Sequence, residues 1–187
     1  MIFLTGHHNA GKSTLAAWFK SIGFLHVETG DIVRGCYKST CATKLFGEWA
    51  HEINSVNPDY FNELILKHIQ EAYHSFFNAD KVIITGNRQL GGINYLIRHI
   101  QEGECKHSII FLEVLEEELY RRQIERKDRI IRDLTFNKFI NEYLAYDKNM
   151  GIDNIKKGAD YIINGNRDTD DIIKDASFIL RKIGYCI

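Results

Sequence analysis

The sequence predicts an α/β protein, a three-layer α/β/α sandwich on a five-stranded parallel sheet. Three observations predict it. The chain opens with the apolar run Met1–Thr5, a glycine loop spaced G-x-x-x-x-G-K-S over Gly6–Ser13, and a helix-like stretch Thr14–Phe19. Four more short apolar runs, at 24–28, 81–85, 108–113 and 159–165, each lead into a polar loop and a helical pattern. With a single proline, Pro58, and no linker-like or repeated stretch, the 187 residues are expected to form one domain over 1–187.

The glycine loop is the most specific feature. Its spacing places Gly6 and Gly11 where the chain must wrap around an anion, so backbone N–H groups of Asn9, Ala10 and Thr14 can converge on phosphate oxygens. The following helix adds the positive end of its dipole. Lys12 would reach the β- and γ-phosphates, and the Ser13 hydroxyl would hold Mg2+. His7 and His8 sit at variable loop positions without further ligands at metal spacing, so they are expected to be solvated loop residues within reach of the γ-phosphate.

The second run, Phe24–Glu28, is followed at once by Thr29-Gly30-Asp31-Ile32-Val33-Arg34. Ligands gather at the carboxyl ends of strands in open parallel sheets. Asp31 is therefore either a general base or metal-water anchor with Arg34 as a clamp on an acceptor phosphate, or a helix-capping acid with an arginine one turn on. Leu45, Phe46, Trp49 and Ile53 mark a small amphipathic helix, and the segment 36–57 is placed where an acceptor-closing element could hinge. A longer helix starts at Asn57-Pro58-Asp59 and carries the stripe Phe61, Leu64, Ile65, Ile69, Ala72, Tyr73 and Phe76.

The third strand, Lys81–Thr85, ends in Gly86-Asn87-Arg88. A planar guanidinium binds two phosphate oxygens at once, so Arg88 is either an acceptor contact or a salt-bridge partner. A helix over 90–101 and a strand over 108–113 come next. The run Glu116–Arg132 then offers two patterns. Glu117/Arg121, Glu118/Arg122 and Glu125/Arg129 are spaced as surface ion pairs. Arg122, Arg126 and Arg129 recur at i, i+4 and i+7, a cationic face suited to a transferring phosphoryl group, which makes about 116–133 the expected lid. A helix over 135–150, the strand around 159–165 and a closing helix from Asp168, with Ile172, Ala176, Ile179 and Leu180 inward, complete the chain.

A net charge of −1 gives no basic field for duplex nucleic acid, although a local groove stays open. No apolar stretch approaches 18 residues, and Cys36, Cys41, Cys105 and Cys186 lack C-x-x-C spacing. The expectation is a cytoplasmic protein, monomeric or a homodimer, with no membrane partner.

Taken in order, Gly6–Ser13, Gly30–Arg34, Thr85-Gly86-Asn87-Arg88, Arg126-Lys127-Asp128-Arg129 and Gly158–Asn164 resemble the P-loop nucleotide kinases, the group of adenylate kinase, deoxynucleoside monophosphate kinases and dephospho-CoA kinase. The resemblance covers nearly the whole length and implies a P-loop NTPase fold with ATP and Mg2+ as cofactors. It implies an ATP site at the glycine loop, an arginine such as Arg122 against adenine, Asn164 at the base edge, and an acceptor pocket of Asp31, Arg34 and Arg88. Lys12, Asp31, Arg126 and Arg129 are the catalytic residues it implies. One departure stands out: the family's D-G-x-R has Thr85 in place of the aspartate. The implied reaction moves the γ-phosphoryl group of ATP to a nucleoside or deoxynucleoside monophosphate. Alternatives are a hydroxyl acceptor, such as dephospho-CoA or 5-hydroxymethyluracil in DNA, and a non-kinase nucleotide switch. Against a guanine switch, the only Asn-Lys, Asn137-Lys138, lacks the N-K-x-D continuation.

Overall fold

The structure is a computed structural model and describes residues 1–40, 43–74, 81–100, 107–126 and 133–186. Five strands form one all-parallel sheet: β1 (Ile2–Thr5), β2 (Leu25–Glu28), β3 (Val82–Thr85), β4 (Ser108–Glu113) and β5 (Tyr161–Asn164). Their order is β2-β3-β1-β4-β5, so β1 lies in the middle and delivers the glycine loop to the centre of the sheet's carboxyl edge. Register pairs Glu28 with Thr85, and Leu4 with Thr85 and Ile110, which sets the ends of β2, β3 and β1 side by side.

The helices are α1 (Lys12–Ser21), α2 (Thr29–Ser39), α3 (Phe46–Val56), α4 (Tyr60–His74), α5 (Leu90–His99), α6 (Glu116–Glu125), α7 (Phe136–Lys138), α8 (Ala145–Met150), α9 (Ile152–Lys157) and α10 (Thr169–Lys182). Successive strand residues point to opposite faces. Ile2 and Leu4 pack with Ile83, Ile110, Leu112 and Ile163 against Leu15 and Phe19 of α1, Leu119 of α6 and Leu180 of α10. Phe3 faces the other layer with Val27, Ile84 and Phe111, covered by Ile69 of α4, Leu96 of α5 and Ile155 of α9. Both faces are buried, which is why the strands read as unbroken apolar runs.

Of three expected helices, the first is present and the other two differ in the structure. The segment 36–57 contains the end of α2 and all of α3, where Trp49 is buried between Tyr37 (5.2 Å between ring centroids), Phe46 (5.9 Å) and Phe61 (5.4 Å), while Leu45 is exposed. The helix expected over 116–132 stops at Glu125, because Arg126 turns extended at φ −68°, ψ 120°. Arg122 and Arg126 therefore do not share one helical face. Arg129 and the rest of 127–132 lie outside the described residues. Between α7 and α8, residues Phe139–Leu144 form a π turn, and α9 adds a short helix that the periodicity did not announce. Among the described residues, no helix is long and apolar enough to cross a membrane.

Phe3 is fully buried and Phe178 is 68% exposed. Phe3→Ala is expected to destabilise the fold by roughly 3–5 kcal/mol and Phe178→Ala by no more than about 0.5 kcal/mol, read from urea midpoints at constant m-value.

Candidate phosphate-transfer site

The loop between β1 and α1 is held by close backbone approach. Gly6 has φ 143°, and a Cβ there would stand 2.6 Å from the carbonyl oxygen of Leu112 on β4. Only glycine lets the chain cross β4 at that distance. Ala10 N–H donates to the His7 carbonyl at 3.2 Å, and Gly11, left-handed at φ 96°, precedes the first residue of α1. Lys12 Nζ folds back over the loop and donates to the carbonyls of Gly6 (2.8 Å) and His7 (2.6 Å). Ser13 and Thr14 present exposed hydroxyls in the first turn of α1.

Three side chains from α6 and its end reach this loop. Asn9, at φ 65°, donates through Nδ2 to Gln123 Oε1 at 2.7 Å and accepts from Arg126 Nη1 at 3.0 Å. Arg122 donates to Ala10 O (3.1 Å), Gly165 O (2.6 Å) and Glu118 Oε1 (2.7 Å), which ties α6, the loop and the turn after β5 together. Beside it opens a cleft of about 230 Å³, with Leu112 and Ile172 as apolar lining and Arg122, Thr14, Arg167 and Thr169 as polar lining. Asn164 does not line it. Its Oδ1 accepts from the backbone N–H (3.0 Å) and side chain (2.8 Å) of Asn166, so it closes its own turn. Arg121 pairs with Glu118 (2.7 Å) and Glu125 (2.5 Å) on the surface, rather than with Glu117.

On the other side of the loop, Thr85 occupies the end of β3. It donates to Glu28 Oε2 at 2.5 Å and lies 2.7 Å from His26 Nε2. Glu28 Oε1 accepts from the Gly30 N–H at 3.3 Å, so Glu28 rather than Asp31 caps α2. Gly86 leaves the room: a Cβ there would meet Glu28 Oε1 at 2.2 Å, with φ already at 91°. Asp31 is exposed and paired with Arg34 at 2.7 Å, the arrangement of an acid with an arginine one turn on. Arg88 pairs with Asp147 at 3.3 Å and lies over the Tyr146 ring at 5.2 Å.

Two carboxylates at this site went unread in the sequence. Glu28 ends an apolar strand and looks like an ordinary edge residue until β3 is set beside it. Asp147 lies in a helical run, yet it is 1% exposed and accepts from the His8 N–H at 2.7 Å. His7 Nδ1 is 3.6 Å from the same carboxylate, an electrostatic contact too long for a hydrogen bond. The two histidines are thus part-buried against Asp147 instead of solvated.

Burial and neighbouring charges shift three groups of the site. Burial, with the positive field of Lys12, Arg88 and Arg126, pushes His8 down to about 4 against the opposing charge of Asp147, so its ring is neutral at pH 7. Burial also brings Lys12 down to about 8, with Arg88 adding to the effect and Asp147 and Glu28 opposing it. Burial alone would raise the Asp147 carboxyl, but His7, Arg88 and the His8 N–H outweigh it and hold the group below the ordinary aspartate range. Among the described residues, no group of three or more His, Cys, Asp or Glu could hold a metal ion. A magnesium ion here would depend on phosphate oxygens and water plus the Ser13 hydroxyl, a donor set that this ion accepts.

A strand, a glycine loop with Lys12 and Ser13, and a helix at the middle of a parallel sheet define a P-loop protein of the kinase type. A family model described as an AAA domain matches residues 5–136, and the chain belongs to that family, within the P-loop nucleotide kinases. Among solved structures, shikimate kinase from Bacteroides thetaiotaomicron aligns with TM-score 0.64 and 18% identity over 98% of each chain. TT1252 from Thermus thermophilus aligns with TM-score 0.64 and 16% identity over 98% of this chain and 97% of its own. Shikimate kinase from Aquifex aeolicus aligns with TM-score 0.55 and 17% identity over 96% and 95%. At these identities the likeness is one of fold. No curated protein matches the chain.

The ordinary lysine value lies above pH 10, so the lowered Lys12 loses its proton as pH rises through about 8, and a bound triphosphate is expected to restore it. Affinity for a non-hydrolysable ATP analogue should fall by up to about tenfold per unit above pH 8, with proton uptake on binding seen by calorimetry in two buffers. Thr85→Asp would set a second carboxylate against Glu28 and His26. It should lower stability at pH 7 by about 1–3 kcal/mol, recovered on acidification because the pair's folded pKa is raised, as thermal unfolding against pH would register.

Proposed function

We propose that this protein is an ATP-dependent phosphotransferase that moves the γ-phosphoryl group to a nucleotide-like small molecule in the cytoplasm. The observation that carries the proposal is a glycine loop over which Lys12 folds and onto which Arg126 reaches at Asn9 and Arg122 at Ala10, beside the cleft that Arg122 lines. In this assignment the cleft takes the base and ribose. Leu112 and Ile172 supply apolar contact, and Arg122, braced by Glu118, lies along the base. The loop amides and the α1 dipole hold the β-phosphate. Mg2+, held through Ser13, would neutralise charge on the β- and γ-oxygens.

The acceptor oxygen forms a bond to the γ-phosphorus as the β,γ-bridge bond breaks and ADP leaves. Lys12 and Arg126 offset the charge on the transferring group, and a buried cation that acts on developing charge contributes more than one in water. Arg88 and Arg34 recognise the acceptor. Glu28, joined to Thr85, supplies a carboxylate next to the position where the family pattern has an aspartate.

A second assignment, a hydroxyl acceptor, has its own support. Arg34 and Arg88 are each matched by a carboxylate, and Glu28 adds a further negative charge that could take a hydroxyl proton. Labelled ATP incubated with nucleoside monophosphates, dephospho-CoA and hydroxymethyluracil-containing DNA separates the two. Label on a monophosphate supports the first and label on a hydroxyl the second, while label on none of them removes the proposal.

Lys12→Ala should abolish transfer, with circular dichroism and unfolding midpoint preserved. A full-rate variant would be incompatible with this mechanism. Arg88→Ala should raise the acceptor KM about tenfold or more and leave the ATP KM within about threefold, measured by initial rates with each substrate varied.

A further inference from the structure

We propose that Asp147 is a positioning residue that aligns the acceptor side of the site with the phosphate loop, by holding Arg88 with one carboxylate oxygen and the loop at His8 with the other. What Arg88 binds rests on the phosphotransferase assignment above; what Asp147 holds does not.

The geometry is specific. Oδ2 accepts from the His8 backbone N–H at 2.7 Å, and Oδ1 lies 3.3 Å from Arg88 Nη1. The carboxylate is 2% exposed, whereas Arg88 is 35% exposed and so would be a mobile side chain if nothing held it. It is held from two directions, by Asp147 and by the Tyr146 ring at 5.2 Å. Both anchors are consecutive residues of α8. A buried carboxylate is tolerable only when its charge and lone pairs are satisfied, and here the partners come from two separate strand ends, β1 and β3.

The π turn puts Asp147 in that place. From the buried Phe139 a regular helix, with about 3.6 residues per turn, would bring Tyr143 and Tyr146 round to the same face. In the structure Tyr143 stacks on Phe139, but the fully buried positions that follow are Leu144 and Asp147, and Tyr146 is half exposed. The extra residue in the turn therefore swings the acid inward and leaves its aromatic neighbour beside Arg88.

Asp147→Asn tests the assignment, since it keeps the shape and an oxygen able to accept from the His8 N–H but removes the charge facing Arg88. With the acceptor found by labelling, its KM should rise about tenfold while the ATP KM stays within about threefold. In an Arg88→Ala background the same substitution should add little, because both changes act through one contact. In the ligand-free protein, hydrogen exchange at Arg88 Nε, followed by NMR, should be faster in Asp147→Asn than in wild type. Asp147→Ser, smaller and also able to accept from the loop, repeats each measurement if the first variant does not fold.

A merely structural acid would lower the unfolding midpoint, leave Arg88 exchange and the ratio of the two KM values unchanged, and add its full effect to Arg88→Ala. That result overturns the proposal. If no acceptor is labelled, the phosphotransferase assignment fails on its own, and exchange at Arg88 still decides the role of Asp147.

Discussion

A buried ammonium group must find acceptors, and the way Lys12 finds them shapes the centre of this molecule. Its Nζ donates to the Gly6 and His7 carbonyls of the loop it serves. The loop can offer those carbonyls because Gly6 lets the backbone pass close over β4 and turn. The positive charge is thereby kept at the centre of the sheet's edge. Burial has weakened its hold on the proton, so above about pH 8 an incoming polyanion binds at the cost of restoring it.

The charges around Lys12 come in matched sets drawn from different layers. Arg122 and Arg126 arrive from α6, Arg88 from the end of β3 and Asp147 from α8. None of these is close in sequence to the loop, and each makes a contact with backbone or with a part-buried partner. Arg121, on the same helix as Arg122, is itself 54% exposed and pairs with Glu118, which it shares with Arg122, and with the exposed Glu125, where an ion pair is worth little. The difference between the two neighbouring arginines is the helix face that meets the loop.

At the place where the family pattern has an aspartate, Thr85 meets a carboxylate from the neighbouring strand. A parallel sheet places the ends of adjacent strands at hydrogen-bonding distance, and the register sets Glu28 opposite Thr85. The hydroxyl then orients a carboxylate that another strand supplies, with Gly86 making room for it. Negative charge stays near the loop without being on the residue where the pattern has it.

The order of strands, glycine loop and helices was legible in the residues because it rests on local chemistry: apolar runs of strand length, glycines at fixed spacing, and a lysine and serine at a helix start. Lys12, Ser13, Arg88 and Arg122 could be singled out for the same reason. The roles of Glu28 and Asp147 could not, since each depends on a partner 57 or 139 residues away and on a register or a π turn that a period of about 3.6 conceals. Which of two paired arginines faces a ligand, and which carboxylate is buried, is decided by packing between layers. Local sequence specifies the elements, and long-range contact specifies the charges that they bring together.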